Sequence, residues 1–126
     1  LALNENLVRK KISNKTLAIF ITHAMGFNGL TQKFIKFIKK KRIYLIEDVC
    51  ESHGAKLGKK KVGTFGEISN FSFYYGHHMT TIEGGMISTN SKKIDRLAKM
   101  KRGHGLLRDS QDDNFIKDNI KKKKKI

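Results

Sequence analysis

Two short apolar runs, Leu17 to Thr22 and Ile43 to Ile46, bracket a stretch in which Leu30, Phe34, Phe37 and Ile38 recur at helical spacing. That order constrains the fold more than any other feature of the chain. A strand, a helix and a second strand within about thirty residues make a βαβ unit. The helix carries the chain back to its starting edge, so the two strands must run parallel. Lys33, Lys36, Lys39 and Lys40 fall largely on the other faces of the helix, which ends in Lys-Lys-Lys-Arg, favourable at its negative dipole end. The first run, Leu17 to Thr22, is continuous rather than alternating, which is consistent with a strand buried on both faces. His23 to Asn28, with Gly26, reads as the loop between strand and helix.

The pattern continues downstream. Lys56 to Gly66 is turn-rich, with Gly58, Gly63 and Gly66, and Asn70 to Tyr75 reads as a third strand. Gly85 to Thr89 reads as a fourth. Asn90 or Ser91 could cap a helix through Lys101, with Ile94, Leu97 and Ala98 on its apolar face. The fold class is therefore α/β, with a mainly parallel sheet and flanking helices. From Ser110 onward the hydrophobic pattern fades, and residues 110–126 are expected to be a polar, lysine-rich, disordered tail. A chain of 126 residues can bury one modest core and suits one domain or part of one.

Charge bears on the partner. With 27 Lys and Arg against 11 Asp and Glu, the net charge is +16. A polyanion such as nucleic acid is one explanation. A lysine-rich surface is the simpler one, because Lys117 and Lys121 to Lys125 crowd the tail and the other positives lack aromatic interleaving. A small basic nucleic-acid-binding protein is thus a disfavoured alternative. Cys50 is the only cysteine, which excludes an intrachain disulfide and points to a reducing compartment, the cytoplasm. Leu1 to Asn14 contains no apolar run long enough for a signal peptide or a membrane span.

The lysines also mark where a site could lie, by avoiding it. No Lys or Arg occurs between Lys61 and Lys92, and the adjacent histidines His77 and His78 sit at the centre of that Gly-, Ser-, Thr- and aromatic-rich window. At most one of the two should enter a given pocket, as an acid or base of near-neutral pKa. A pair packed against Tyr74 and Tyr75 explains them equally well. Glu47-Asp48 follows the strand Ile43 to Ile46, and open α/β sheets bind ligands at the carboxyl ends of their strands. A carboxylate there can hold a protonated ring nitrogen, although a cap or loop carboxylate is the simpler reading from spacing alone. Ser72 could contact a phosphate. Gly63-x-x-Gly66 and Gly84-Gly85 could cradle one through backbone amides, or simply make tight turns. Cys50 and His53 have a metal-site spacing, but one thiol without a second CxxC or HxxxH disfavours a metal.

Together these residues resemble the DegT/DnrJ/StrS family of pyridoxal-phosphate-dependent sugar aminotransferases. The motifs are Ile46-Glu47-Asp48-Val49-Cys50-Glu51-Ser52-His53-Gly54-Ala55, Gly63-Thr64-Phe65-Gly66, Phe71-Ser72-Phe73 and Thr80-Thr81-Ile82-Glu83-Gly84-Gly85, in the family's order and spacing. Arg102-Gly103-His104-Gly105 is similar to the family's Arg-x-His-Gly. The resemblance runs from about Leu17 to Arg108. It implies part of the large domain, within residues 1–109, of an aspartate-aminotransferase-like (fold type I) fold of roughly three times this length, with an upstream segment and a C-terminal small domain lying outside this sequence. It also implies a homodimer at full length and no membrane.

The roles implied are specific. Asp48 would pair with the pyridine nitrogen of pyridoxal 5'-phosphate or pyridoxamine 5'-phosphate, Ser72 would hold the phosphate, and Glu51, where most members carry Gln, would lie beside the ring. The departure is His77, which occupies the position of the lysine that links the cofactor covalently. An imidazole forms no such stable link. His77 and the Cys50-Glu51-Ser52 variant resemble the family's dehydratase branch, which removes the 3-hydroxyl from nucleotide-linked 4-keto-6-deoxy sugars in polysaccharide and lipopolysaccharide biosynthesis. There the cofactor would be pyridoxamine phosphate, held noncovalently, with His77 as catalytic base. An ordinary sugar aminotransferase of the same family is the alternative.

Overall fold

A computed structural model of the chain describes residues 3–123. They form two compact units, divided between Ser88 and Thr89.

The first unit opens with α1 (Glu5–Lys11), capped by the Asn4 side chain, which accepts the Leu7 N–H at 3.2 Å. Then come β1 (Ala18–Thr22), α2 (Gln32–Lys40) and β2 (Tyr44–Asp48), with β1 and β2 parallel in the register Ala18 to Tyr44 through Thr22 to Asp48. This is the expected βαβ unit. Thr31 caps α2 by accepting the Phe34 N–H at 3.2 Å. Leu30 precedes the cap and Ile35 sits at the fourth helical position, the two places of a hydrophobic staple, and both are buried in the core. Leu30 thus lies just outside the helix it was expected to begin. Phe34, Ile35 and Ile38 of α2 close onto Ile21, Ile43 and Leu45, and this cluster is the core of the unit. Arg9 of α1 lies 3.9 Å over the Phe37 ring on the outer side of α2.

A small hairpin follows, β3 (Lys56–Leu57) and β4 (Lys60–Lys61), turned by Gly58 at φ +61°. β5 (Ile68–Ser72) joins the sheet parallel to β2, and β6 (Gly85–Ser88) pairs antiparallel with β5, giving the order β1-β2-β5-β6. β6 can run antiparallel because the chain from Phe73 to Gly84 returns without a crossover helix. β5 begins and ends earlier than the expected Asn70 to Tyr75. Its ladder ends at Ser72, whose hydroxyl accepts the Tyr74 N–H at 3.3 Å.

The expectation that the first strand is buried on both faces is overturned. α2 covers the face bearing Ile21, Leu45 and Glu47, while the opposite face leaves Phe20 61% and Tyr44 60% exposed. Alternating burial along β1 and β2 follows, because successive side chains point to opposite faces.

The second unit contains α3 (Lys92–Arg102), a 3-10 turn (Leu107–Ser110) and α4 (Asp113–Lys123). Ser91 is the cap of α3, accepting the Ile94 N–H at 3.3 Å. The Arg102-Gly103-His104-Gly105 stretch ends that helix. A side chain at Gly103 would meet the Asp109 carboxylate, and Gly105, at φ +81°, donates to the Met100 carbonyl at 2.7 Å. The expected disordered tail from residue 110 is corrected by α4. Asp112 accepts the Phe115 N–H at 2.9 Å and the Arg96 guanidinium at 2.8 Å, and Arg96 stacks 3.8 Å from the Phe115 ring. The remaining expectation, for residues 124–126, lies outside the described residues. No described helix is long and apolar enough to cross a membrane.

Candidate functional site

Glu47 and Asp48 are neighbours in β2 and therefore face opposite ways. Glu47 is fully buried under the sheet. Its Oε1 accepts the N–H groups of Phe65 and Gly66, both at 2.7 Å, and its Oε2 accepts the Gly63 N–H at 2.7 Å. The fourth donor is His23, whose Nε2 lies 3.2 Å from Oε2. His23 Nδ1 accepts the Gly29 N–H at 3.0 Å, so the ring proton sits on Nε2 and the imidazole is neutral. Burial pushes the Glu47 carboxyl up, but His23 and the three backbone donors outweigh it and hold it below the ordinary value. The amides of Gly63-x-x-Gly66, a candidate phosphate cradle by sequence, are thus engaged by an internal carboxylate. The close fit has a cause at Gly66, where a Cβ would lie 2.4 Å from the Leu45 carbonyl oxygen.

Asp48 takes the other face, at the carboxyl end of β2. The register places Thr22 of β1 and Asn70 of β5 beside it. Its Oδ1 accepts the Cys50 N–H at 3.1 Å and the Asn70 amide at 3.0 Å, while Oδ2 meets the Thr22 hydroxyl at 3.4 Å. Burial raises this carboxyl too, yet the bonds from Cys50, Asn70 and Thr22 together keep it below its ordinary value. Asp48 is a half-buried, ionised acceptor at a strand end. Ser72, at the end of the neighbouring β5, shares its face of the sheet by register.

His77 and Glu51 meet elsewhere in the first unit. They line an open cleft of about 450 Å³ together with Met25, Tyr74, Gly76 and His78. Glu51 Oε2 accepts the N–H of Met25, a residue held at φ +53°, at 3.1 Å. His77 N–H donates to the Tyr74 carbonyl at 3.0 Å, and its ring stands edge-on to Tyr74 with centroids 6.0 Å apart. The structure therefore groups the predicted residues in pairs, Asp48 with Ser72 at the strand ends and Glu51 with His77 in the cleft. Short links join the pairs, since Glu51 follows Asp48 within one turn and His77 follows Ser72 within one loop. The Thr80 to Gly85 motif closes that loop. Thr81 N–H and the Thr80 hydroxyl both donate to the Phe73 carbonyl, and Phe73 N–H donates to Gly84 O at 2.9 Å. His53 packs between Phe71 and Phe73, with centroids 5.7 and 5.8 Å away. Among the described residues no three His, Cys, Asp or Glu cluster to hold a metal.

Sequence reasoning missed Thr22 and Asn70 on Asp48, and Met25 in the cleft, whereas the packing of His77 against Tyr74 is as one of its two readings had it. For the first two the signal was strand register, which local patterns do not contain.

Comparison with known proteins bears on this arrangement. A family model described as the DegT/DnrJ/EryC1/StrS aminotransferase family matches residues 1–126. The chain is 42% identical over 100 residues to GDP-perosamine synthase of Escherichia coli O157:H7, covering 79% of this chain and 27% of that protein. It is 33% identical over 109 residues to GDP-4-keto-6-deoxy-D-mannose 3-dehydratase of Yersinia pseudotuberculosis, covering 86% and 28%. A solved GDP-4-keto-6-deoxymannose-3-dehydratase with a trapped PLP-glutamate geminal diamine superposes with a TM-score of 0.79 at 35% identity, covering 86% of this chain and 28% of that one. The chain thus spans a little over a quarter of the length of these relatives. They give no support to the nucleic-acid-binding alternative that the charge raises.

Proposed function

The chain belongs to the DegT/DnrJ/EryC1/StrS aminotransferase family, and from that premise we propose that it is part of a nucleotide-sugar enzyme that removes a 3-hydroxyl rather than transferring an amine. The family uses pyridoxal phosphate and has the fold type I architecture, to which the mostly parallel sheet and flanking helices conform. The observation that carries the dehydratase reading is His77 in the cleft, within a segment that has no lysine from Val62 to Ser91, where the motif resemblance would put the cofactor-linking lysine.

The residues present fit the cofactor by the chemistry of their donor set. Asp48 is an ionised acceptor whose Oδ2 meets the Thr22 hydroxyl only at a long 3.4 Å, suited to a protonated ring nitrogen. Ser72 offers a hydroxyl at the end of the adjacent strand, suited to the phosphate. When bound, the cofactor supplies an amine and an electron-withdrawing ring. Asp48 keeps the ring nitrogen protonated. His77, half-buried and free of any covalent tie to the cofactor, takes and returns a proton at its imidazole as the 3-hydroxyl of the sugar leaves. Glu51 presents a second carboxylate to the same cleft. The substrate is a nucleotide-linked 4-keto-6-deoxy sugar, the full-length enzyme a cytoplasmic homodimer, and residues 1–109 part of its cofactor-binding large domain.

The test is His77→Lys in the enzyme that contains this segment. Borohydride should then fix the cofactor to residue 77, seen by peptide mass mapping, and the 3-deoxy product should vanish. Dehydration surviving at full rate sinks the assignment. A parent enzyme that borohydride already labels on a lysine anywhere in the chain, and that yields an aminated rather than a 3-deoxy product, would favour the second reading, an ordinary aminotransferase.

A further inference from the structure

Asp48 treats its two oxygens unequally. Oδ1 carries two donors at ordinary distances, the Cys50 N–H at 3.1 Å and the Asn70 amide at 3.0 Å. Oδ2 meets the Thr22 hydroxyl at 3.4 Å, long for an O–H···O bond. Asn70 lies directly beside Asp48 in the β2–β5 register and so on the same face of the sheet. Its amide makes a second bond, to Cys50 Sγ at 3.3 Å. An NH2 group has two hydrogens, and here both are committed. Asn70 is therefore itself oriented, with one hydrogen on the carboxylate and the other on the thiol two residues further along the chain.

We infer that Asn70 is a positioning residue that pins Asp48 through Oδ1 and so leaves Oδ2 to accept the ring nitrogen of the cofactor. This rests on the functional reading above. The mechanism is geometric. A carboxylate rotates about its Cβ–Cγ bond, and a backbone N–H alone fixes one direction only. A second donor on the same oxygen, from a neighbouring strand rather than from the β2 loop, fixes the carboxyl plane. Thr22 is too distant to fix it from the other side. The electrostatics agree: against burial, the Cys50 thiol and N–H and then the Asn70 amide hold the Asp48 carboxyl low, so Asn70 acts on Asp48 directly and through the thiol that it also bonds. Cys50 acts as an internal reporter. Burial and the Asp48 carboxylate push its thiol up, while the Asn70 donor pulls it down.

The experiment compares the parent chain with Asn70→Leu, Asn70→Asp and Thr22→Val. Asp48 is followed by carboxyl-carbon NMR titration, Cys50 by the pH dependence of its alkylation, and folding by circular dichroism. In Asn70→Leu the Asp48 midpoint should rise by about one unit and the thiol midpoint should rise further. In Thr22→Val, Asp48 should move less and Cys50 not at all. Asn70→Asp places two carboxylates in contact, and one of them should titrate far above the carboxylate range. It decides the question if Asn70→Leu does not fold. An Asp48 midpoint that stays at the parent value in a folded Asn70→Leu chain, or a folded Asn70→Asp chain in which neither carboxylate of the pair is raised, overturns the inference.

Binding of pyridoxamine 5'-phosphate, followed by its absorbance in the enzyme containing this segment, separates the two layers. Asn70→Leu should weaken it about tenfold, the loss of one oriented charge-assisted bond. Failure of the parent to bind the probe counts against the functional reading, while the two titrations still decide whether Asn70 positions Asp48.

Discussion

Replacing Glu47 by Gln keeps the shape of the side chain and removes one oxygen. Each Glu47 oxygen accepts two donors, Phe65 and Gly66 on Oε1, Gly63 and His23 on Oε2. Wherever the new NH2 group lands, two N–H donors lose their acceptor and face hydrogens instead. His23 cannot relieve this by changing tautomer, because its Nδ1 would then present a hydrogen to the Gly29 N–H. Hydrogen bonds to charged groups contribute about 1.5–3 kcal/mol each, so the loss is about 3–6 kcal/mol. The unit of residues 1–88 should have a total stability of roughly 4–13 kcal/mol at ordinary values per residue. Glu47→Gln should therefore leave it marginal or unfolded. In a urea titration followed by circular dichroism, a loss of about 4 kcal/mol lowers the midpoint by about 2–3 M at a typical slope. A loss below about 1 kcal/mol, with slope and native spectrum unchanged, would refute the view that four donors converge on this carboxylate. The same group sets an acid limit. Its folded value lies below the ordinary 4.5, so its contribution is complete above that pH and is lost as pH falls through the folded value.

Gly66→Ala forces a methyl to within 2.4 Å of the Leu45 carbonyl oxygen, which backbone alone must accommodate. The expected cost is about 1–3 kcal/mol, read as a lower thermal midpoint. Asp112→Ala removes the Phe115 and Arg96 bonds together and should reduce helical ellipticity at 222 nm through loss of α4. Acid should do the same, because the Phe115 N–H and Arg96 hold the Asp112 carboxyl below 3.8, so the cap survives above that pH and is lost below it. Phe20→Lys with Tyr44→Lys, on the open face of the sheet, should reduce aggregation in light scattering, with a stability change within about 0.5 kcal/mol per site.

What could be read in the sequence was what is local. The βαβ unit follows from two apolar runs and one helical period, and the α3 cap from a Ser three residues before Ile94. α4 was missed because its order comes from Asp112 and Arg96, side chains that reach it from outside any apolar period. In the site, the motif spacing singled out Asp48, Ser72 and His77 along the chain. It could not show that Asn70 and Thr22 flank Asp48, since register is settled only when three strands come together.

The Glu47-Asp48 pair shows why these neighbours have different fates. They share a strand and a charge, and the pleat sends them to opposite faces. On the covered face, water is gone, so a carboxylate persists only if its lone pairs are filled, and Glu47 is filled by backbone from residues 63 to 66 and by His23. On the open face, Asp48 keeps one oxygen lightly bonded, the condition for accepting a ligand. The two are not independent. Glu47 ties β2 to the turn that leads into β5, and Ser69, opposite it in β5, donates to the Gly63 carbonyl at 2.9 Å. Asn70 is the next residue. The buried acid thereby sets the strand position from which the exposed acid is aimed, so Glu47→Gln in any chain that still folds should raise the Asp48 midpoint along with lowering stability.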